Sequence, residues 1–346
     1  MGATTGIEWT DSTWNPLRGC SKVSAGCDHC YAETMAARFS GKGLPFEKVT
    51  RIGMLGTHWN GNVELVEKHL LDPMKWRSII TSGPVAGMGS SRPRRVFVNS
   101  MSDLFHPNVP DEWIDQIFAV MALCPQHTFQ VLTKRPERMR EYLCAYGRTS
   151  AIYNVATVII GGDFSKMPVR MAHHRSSGDG WWPLPNVWLG VSIENQDAAD
   201  ERIPLLLQTP SAVRIVSCEP QLGAISLHQC GAIVYESFPE ASSCDGSDGW
   251  YEISKIDWVI CGGESGPGAR PMHPDWARGL RDQCAAAGVP FFFKQWGEWL
   301  PAMCDGAKTK NGITLNCPDR PVRVGKKSAG SLLDGREYKA FPVVGV

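Results

Sequence analysis

The sequence has no excess of charge of either sign and no apolar run long enough to cross a membrane. Its 346 residues carry 35 Lys and Arg against 35 Asp and Glu, so a nucleic-acid substrate would need a local basic patch. Residues 1–19 show neither the basic nor the apolar region of a secretory leader. Together with twelve cysteines, these absences predict a protein of a reducing compartment, and we expect it in the cytoplasm with no membrane partner.

Three cysteines stand close together near the N-terminus, at Cys20, Cys27 and Cys30. A closed structural metal site normally takes four protein ligands, whereas a site that does chemistry keeps one position open. A three-thiolate site that leaves one iron open is what is needed to bind and reductively cleave S-adenosylmethionine. The flat ring of His29 or of Tyr31 could lie against an adenine. Zinc, with His29 or a distant residue as fourth ligand, and three ordinary buried thiols are the alternatives that the spacing leaves open.

Short β-branched runs, most of them followed by a helical pattern, alternate along the chain. Such alternation predicts parallel strands joined by crossover helices. The predicted strands are 95–100, 128–133, 187–192, 213–217, 258–261 and 290–293, with a shorter one before the cysteines, and two predicted helices are 111–123 and 275–287. No internal repeat accompanies them. We therefore predict an α/β fold, a partial or full TIM-like (β/α) barrel of parallel strands, with a doubly wound sheet as the alternative.

The same pattern predicts the domain organisation. Residues 1–297 are expected to form the barrel, with insertions at about 41–90, 149–185 and 221–255. Residues 298–346 are expected to form a C-terminal extension packed on the barrel.

Polar or glycine residues follow six consecutive predicted strands. Active sites of parallel α/β barrels lie at the C-terminal ends of the strands. A single polar residue there is more often a helix cap, but six such ends together favour a site. Alternation along 187–194 places Ser192 and Glu194 on the face that looks into the barrel. The candidate residues at these ends are Asn99, Ser100, Ser102, Asp103, Lys134, Ser192, Glu194, Ser217, Glu219, Gly262, Gly263, Glu264, Lys294, Gln295 and Trp296.

The glycine-rich run 261–270 lacks the order of a phosphate-binding loop. Its glycines, Gly262 and Gly263 among them, are expected to let the backbone approach a ligand, with Glu264 accepting a hydrogen bond. The alternative is a tight loop with a solvated Glu264. Arg270, Lys134 and Arg135 are candidates for phosphate contacts.

The end of the last predicted strand offers groups that could meet a substrate. Lys294, Gln295 and Trp296 supply a charge, an amide and a stacking surface, which suit a nucleobase. A buried salt bridge and a core tryptophan are the alternative. Cys261 is a candidate hydrogen-atom donor, and its alternative is a small apolar strand residue. The irregular spacing of four further cysteines does not predict a second metal site; they are Cys230, Cys244, Cys304 and Cys317.

Seven blocks in this order resemble a bacteriophage and prophage family of radical-SAM-like proteins of largely unassigned function. They are IEWTDSTWNP (7–16) leading into the cysteines, NSMSDLFH (99–106), LTKRP (132–136), WLGVS (188–192), SCEP (217–220), GGESG (262–266) and FKQWG (293–297). The resemblance covers most of the chain. It departs from the wider radical SAM superfamily at the cysteines, where C-x6-C-x2-C stands in place of the usual C-x3-C-x2-C.

The resemblance implies a barrel of the radical SAM type in which the three cysteines ligate three irons of a 4Fe-4S cluster. The fourth iron would chelate S-adenosylmethionine. The loop 99–103 would meet the methionine amino group, through Asp103 or a serine hydroxyl. Ser192 and Glu194 would meet the ribose hydroxyls or the methionyl carboxylate, and Ser217 and Glu219 would lie one strand further round.

The resemblance also implies an enzyme, whose outcome as isomerase, lyase or transferase is left open. A 5'-deoxyadenosyl radical would take hydrogen from a substrate, and we expect a pyrimidine base or its 5-substituent in phage DNA or a nucleotide, for modification, rearrangement or repair. Flavodoxin or ferredoxin would be the electron donor, in the host cytoplasm if a phage encodes the chain. The alternatives are a zinc-stabilised nucleic-acid or protein-binding module without turnover, and a radical SAM enzyme with a peptide substrate.

Overall fold

The computed structural model divides the chain into two compact units. It describes residues 5–54, 56–81, 90–172, 181–237, 250–301, 307–308, 314–315 and 320–343. Unit 1 comprises residues 1–23, 30–190 and 209–213, and unit 2 comprises residues 24–29, 191–208 and 214–346. Cys20 and Cys30 thus belong to unit 1 and Cys27 to unit 2. Cys244, Cys304 and Cys317 lie outside the described residues. The expected division into a barrel over 1–297 and an extension over 298–346 stays a prediction.

Seven strands form one sheet, and their order in the sheet follows their order in the chain. They are β1 (Ser12–Trp14), β2 (Arg94–Val98), β3 (His127–Thr133), β4 (Val187–Ser192), β5 (Val213–Cys218), β6 (Trp258–Gly262) and β7 (Phe291–Gln295). Strands β1, β2 and β3 pair in parallel, and so do β5, β6 and β7. A doubly wound sheet would reverse its order part-way. The order therefore confirms the strand succession of a partial TIM-like barrel.

In the described part of the chain, six helices of seven or more residues accompany the strands. They are α1 (Tyr31–Ala37), α2 (Asp111–Leu123), α3 (Pro136–Cys144), α4 (Arg148–Ile159), α5 (Gln196–Leu207) and α6 (Pro274–Ala286). Helix α2 buries Ile114, Ile117, Phe118 and Met121, as its 3.6-residue periodicity requires. Short helical segments span Glu67–Leu70, Val169–Ala172 and Lys326–Ala329. Within the described residues, no helix has the length and apolar character of a membrane span.

Two-stranded antiparallel ladders occupy much of the rest of the chain. Four of them fall within or next to the expected insertions, pairing Leu17–Arg18 with Glu64–Leu65, Thr50–Gly53 with Gly56–Trp59, Ile79–Thr81 with Ser90–Arg92, and Ile233–Ser237 with Trp250–Ser254. Two more lie towards the C-terminus, pairing Trp299–Leu300 with Val322–Arg323 and Ala307–Lys308 with Thr314–Leu315. Helix α4 lies in the second expected insertion.

Each unit has its own buried aromatic and aliphatic side chains. In unit 1 Trp14 is buried beside Phe129, with ring centroids 5.8 Å apart, and its indole Nε1 donates to the carbonyl of His69. In unit 2 Trp258 is buried beside Phe341 at 5.1 Å. Burial of such large apolar groups is the main favourable contribution to folding. The two cores fix the strands from which the candidate residues project.

Candidate functional site

In unit 1, the loop after β2 is organised around the carboxylate of Asp103. Its Oδ1 accepts hydrogen bonds from the backbone N–H of Phe105 at 3.0 Å and from Thr133 Oγ1 at 2.7 Å. Its Oδ2 accepts from the backbone N–H of Lys134 at 3.2 Å and from Arg135 Nη1 at 2.8 Å. A carboxylate has about four lone-pair positions. Donors of the protein therefore fill the acceptor capacity of Asp103, which the resemblance offered, with a serine hydroxyl as the alternative, as a partner of the methionine amino group.

Arg135 joins this carboxylate to the start of the cysteine loop. Its Nη2 donates to both the backbone carbonyl and the hydroxyl of Ser21, each at 2.9 Å, and its Nη1 lies 3.9 Å from Cys20 Sγ. Burial, with the Asp103 charge adding to it, raises the pKa of the Cys20 thiol to about 12, while Arg135 acts in the opposite direction. Metal binding at Cys20 must therefore displace a proton at neutral pH.

His106 fixes the other side of Ser21. Its Nδ1 accepts a hydrogen bond from the backbone N–H of Asn108 at 3.1 Å, so the ring proton resides on Nε2 and points to Ser21 Oγ, 2.9 Å away. Burial, followed by the positive charge of Arg135, lowers the pKa of His106 to about 4. The imidazole is consequently neutral near pH 7, and both of its nitrogens have partners in unit 1.

Asn99 has a buried side-chain donor without a hydrogen-bond partner. Among the described candidate residues of this loop, no other side chain has one. The φ of 60° at Asn99 is left-handed, a conformation that asparagine adopts more readily than most residues. Asn99 Oδ1 accepts from the backbone N–H of Leu17 at 3.3 Å, while Asn99 Nδ2 is buried without a hydrogen-bond partner. A buried unsatisfied donor is costly unless a ligand or water completes it. Asn99 can therefore donate to an acceptor of a bound molecule.

The hydroxyls of the two serines of this loop and of Tyr31 donate hydrogen bonds to other groups of the protein. Ser100 Oγ donates to Asn15 Oδ1 at 3.1 Å, and Ser102 Oγ donates to the carbonyl of Leu17 at 3.3 Å. The hydroxyl of Tyr31 donates to the carbonyl of Ser100 at 2.7 Å, although 51% of Tyr31 stays exposed. The hydrogen bond orients an exposed aromatic ring next to Cys30.

In unit 2, the end of β4 carries a buried ion pair. Arg202 Nη1 lies 3.2 Å from Glu194 Oε2, and both side chains are 2% exposed. The same nitrogen donates to the carbonyl of Ser192 at 2.7 Å. Glu194 is thus buried with a cation of helix α5 as its partner, while its position on the face towards the barrel interior stays a prediction. The sequence analysis did not identify Arg202. The only feature that could have indicated it is its position among the apolar residues that α5 buries.

The next strand end pairs Glu219 with Lys294. Their Oε1 and Nζ atoms are 3.1 Å apart, and the side chains are 15% and 19% exposed. A Cβ placed on Gly262 would lie 2.5 Å from Glu219 Oε1, so only glycine leaves room for the carboxylate there. This geometry favours the salt-bridge interpretation of Lys294, while partial exposure leaves the pair open to a ligand.

Three other candidates of unit 2 are enclosed by the protein. Cys261 is fully buried, donates through Sγ to Gln221 Oε1 at 3.1 Å, and has its pKa raised well above the ordinary value by burial. The amide of Gln295 donates to the carbonyl of Gly263 at 3.2 Å and accepts from the N–H of Gly297 at 2.7 Å. Trp296 is 2% exposed. These environments favour core roles over hydrogen-atom donation, base recognition and stacking.

The glycine-rich run holds Glu264 and Arg270 together. Arg270 Nε lies 2.9 Å from Glu264 Oε2, and Arg270 Nη2 lies 2.6 Å from Glu264 Oε1. The Glu264 side chain is 4% exposed, so the alternative of a solvated Glu264 is wrong. Arg270, predicted to contact a phosphate, also donates through Nη2 to the carbonyl of Ala25 at 2.8 Å, beside Cys27.

None of the nine cysteines of the described residues is in a disulfide, and their exposure differs. Cys20, Cys27 and Cys30 are half-buried, whereas Cys124, the next cysteine along the chain, is buried. Burial raises the pKa of Cys124 to about 12. In the described part of the chain, no group of three or more His, Cys, Asp or Glu side chains is arranged closely enough to hold a metal ion. The chemistry of the three thiols nevertheless suits iron or zinc.

Comparison with known proteins gives one match. A family model described as "Protein of unknown function (DUF5131)" matches residues 4–342. No curated protein and no solved structure matches the chain. The function must therefore be argued from the residues of the chain itself.

Proposed function

This chain belongs to the DUF5131 family of proteins of unknown function, and from its own residues we propose that it is a radical S-adenosylmethionine enzyme. Cys20, Cys27 and Cys30 would hold a 4Fe-4S cluster. The observation that carries the proposal is a set of three half-buried cysteines, none of them in a disulfide, within one short stretch of chain, while the next cysteine, Cys124, is buried. Three thiolates leave one iron without a protein ligand, which is the arrangement that a substrate-binding cluster needs.

The residues of unit 1 around Cys20 fit such a cluster. Arg135 places a guanidinium 3.9 Å from Cys20 Sγ, and hydrogen bonds and positive charge near a ligating sulfur stabilise its thiolate form and tune the metal. His106 has both ring nitrogens engaged. His106 could therefore act as a fourth ligand only by losing one of these hydrogen bonds.

The unpaired amide of Asn99 fits a ligand carboxylate. Its Nδ2 is a donor, so it would bind an oxygen of the methionyl carboxylate in preference to the amino group. Tyr31 would offer its exposed ring to the adenine. Glu219 and Lys294, a partly exposed pair at the strand ends of unit 2, would bind polar groups of the cofactor or the substrate.

A bound cluster would supply the electron for reductive cleavage of a carbon–sulfur bond of S-adenosylmethionine, chemistry that would end in removal of hydrogen from the substrate. The protein holds the cofactor, excludes water and orients the substrate. We propose a pyrimidine base or its 5-substituent in DNA or a nucleotide as the substrate, flavodoxin or ferredoxin as the electron donor, and the cytoplasm as the location. Since the net charge is +0, we expect recognition of a specific site rather than tight nonspecific DNA binding.

The first experiment is anaerobic reconstitution with iron and sulfide, reduction, and measurement of 5'-deoxyadenosine formed from S-adenosylmethionine. The test variant is Cys27→Ala, and Cys144→Ala is the matched control because Cys144 is an exposed thiol outside the motif. We expect a brown protein that forms 5'-deoxyadenosine, loss of both properties in the test variant, and neither loss in the control. A colourless protein that binds one zinc and leaves S-adenosylmethionine intact would establish the binding module instead.

A second experiment addresses the substrate. Oligodeoxynucleotides or thymidine carrying deuterium on the 5-methyl group are incubated with the reduced enzyme. Deuterium in the recovered 5'-deoxyadenosine would identify the 5-substituent as the hydrogen donor. Absence of transfer from these compounds, with transfer from deuterated peptide, would favour the peptide substrate.

A further inference from the structure

We propose that Arg270 and Glu264 are a positioning pair that presets Cys27 of unit 2 for metal binding. The inference rests on the proposed function, because it gives the pair a role in assembling the same centre. Neither residue would touch the reacting atoms. Their effect would act through the backbone of the turn that carries Cys27.

Arg270 binds the carbonyl of Ala25, and the same carbonyl accepts the backbone hydrogen bond that closes the turn carrying Cys27. Residues Ala25–Cys27 form a 3-10 turn, in which the backbone N–H of Asp28 donates to the carbonyl of Ala25 at 3.2 Å. Arg270 Nη2 donates to the same carbonyl at 2.8 Å, and Arg270 Nη1 lies 3.3 Å from Asp28 Oδ2. The guanidinium therefore contacts the residues on both sides of Cys27.

Glu264 holds the guanidinium in the orientation that this contact needs. Its carboxylate accepts from Arg270 Nε at 2.9 Å, from Nη2 at 2.6 Å and from the backbone N–H of Arg270 at 2.7 Å. Two parallel bonds between a guanidinium and a carboxylate fix direction as well as distance. Lysine has the charge of arginine but not its planar fork, so it cannot reproduce this geometry.

Close backbone approaches constrain the same turn. Gly268 has φ of +76°, and a Cβ placed on it would lie 2.7 Å from Cε1 of His29. A Cβ on Gly26 would lie 3.1 Å from Glu194 Oε2. Glycine is required at position 268 because its φ is left-handed and the His29 ring fills the side-chain space. The positions on either side of Cys27 are thus packed against other residues of unit 2.

A ligand that is already fixed in its binding conformation loses less entropy when the metal binds. The pair would therefore raise the affinity of the centre for iron without coordinating it. Loss of the pair should free the turn and expose the Cys27 thiol, whether or not a metal is present. This makes the proposal testable on metal-free protein.

The experiment measures alkylation of each thiol by iodoacetamide in the reduced, metal-free protein, with mass spectrometry to separate the sites. Arg270→Gln and Arg270→Lys are compared with the wild type, and Cys144 serves as the internal reference. Arg278→Gln is the matched control, because Arg278 is an arginine of unit 2 that pairs with Asp275 and Asp334. We expect the rate for Cys27 relative to Cys144 to rise at least fivefold in both Arg270 variants and to stay unchanged in the control.

The conservative variant separates positioning from a general effect of charge. If Arg270→Lys restores the wild-type rate at Cys27, charge alone suffices and the positioning role is wrong. An unchanged rate in Arg270→Gln would overturn it as well. Should Arg270→Gln fail to fold, as judged by circular dichroism, Glu264→Gln provides the second test, with an expected rise of at least twofold.

Titration of the same proteins with iron and sulfide, followed by optical spectroscopy, gives the second measurement. We expect at least a tenfold weakening of iron binding in both Arg270 variants. A protein that binds only zinc would contradict the radical SAM proposal, while the alkylation ratios would still decide whether the pair positions Cys27. Failure of one proposal is thereby distinguished from failure of the other.

Discussion

Arg135 and Asp103 form an ion pair of 2.8 Å whose side chains are only 11% and 9% exposed. The other terminal nitrogen of Arg135 holds Ser21, so the pair ties the loop after β2 to the start of the cysteine motif within unit 1. A pair of this kind is expensive to break, since removal of one partner leaves a buried charge uncompensated.

Replacement of Arg135 should therefore destabilise unit 1. We expect Arg135→Gln to lower the free energy of unfolding by about 3–5 kcal/mol, measured by urea denaturation of the metal-free protein. The matched control is Arg138→Gln, which removes an ion pair with Asp111 whose side chains are 28% and 39% exposed. Such a pair contributes about 1 kcal/mol or less. Equal effects of the two substitutions would contradict a special role for Arg135.

The buried pair of Glu194 and Arg202 offers a double-mutant test in unit 2. Arg202→Met alone should cost about 3–5 kcal/mol, because Glu194 remains buried without its counterion. Adding Glu194→Gln should recover at least half of that loss, and urea denaturation of both single variants and the double variant completes the cycle. Additive effects would show that the two side chains do not interact.

The lowered pKa of His106 predicts a pH dependence of stability. An ordinary histidine titrates near 6.5, whereas burial and the charge of Arg135 hold the pKa of His106 at about 4. Between these two pH values the imidazole of residue 106 is protonated in the unfolded chain and neutral in the folded chain. Stability is thus complete above pH 6.5 and falls as the pH drops towards 4, by about 2–3 kcal/mol.

His106→Gln provides the comparison for this dependence. The free energy of unfolding of the variant should lack the pH dependence that His106 causes. The difference in this free energy between the wild type and the variant should therefore narrow as the pH falls from 7.5 to 4.5. Urea denaturation at several pH values measures it. A difference that stays constant with pH would show that His106 titrates normally.

Asn99 provides the sharpest test of cofactor binding. Asn99→Asp keeps an oxygen for the N–H of Leu17 and tolerates a left-handed φ, but it exchanges the unpaired donor for a negative charge. We expect affinity for S-adenosylmethionine to fall at least tenfold, measured by calorimetry on the reconstituted protein, with iron content unchanged. Undiminished affinity would exclude Asn99 from carboxylate binding.

The sequence predicted the regular elements well where local chemistry marks their ends. Helix α2 runs over 111–123, as predicted, because Pro110 precedes it and its apolar residues recur with helical spacing. Helix α6 begins one residue before its predicted start because Pro274 is well suited to the first helical position. The ladder of Thr50–Gly53 with Gly56–Trp59 was not predicted, since three of the four residues of its first strand are exposed and no apolar alternation marks it.

The candidate site was less predictable, because its partners are distant in the sequence. Strand alternation singled out Glu194 as a candidate, and the residue is buried, but nothing local identifies Arg202 as its counterion. The nature of Gln295 and Trp296 suits base recognition and core packing equally. Only their surroundings, such as the carbonyl of Leu332 that accepts from Trp296 Nε1 at 2.9 Å, favour the second.

The hydroxyl of Ser21 receives hydrogen bonds from Arg135 and His106, and a hydroxyl oxygen has two lone pairs. A surface serine hydroxyl can usually either donate or accept a further hydrogen bond. The hydroxyl of Ser21 can only donate one, because both of its lone pairs already accept. The residue that follows Cys20 thus presents the positive end of an O–H dipole. Electron-rich atoms, such as a sulfide or a thiolate sulfur, would be attracted to that position, and a bare cation would be repelled from it.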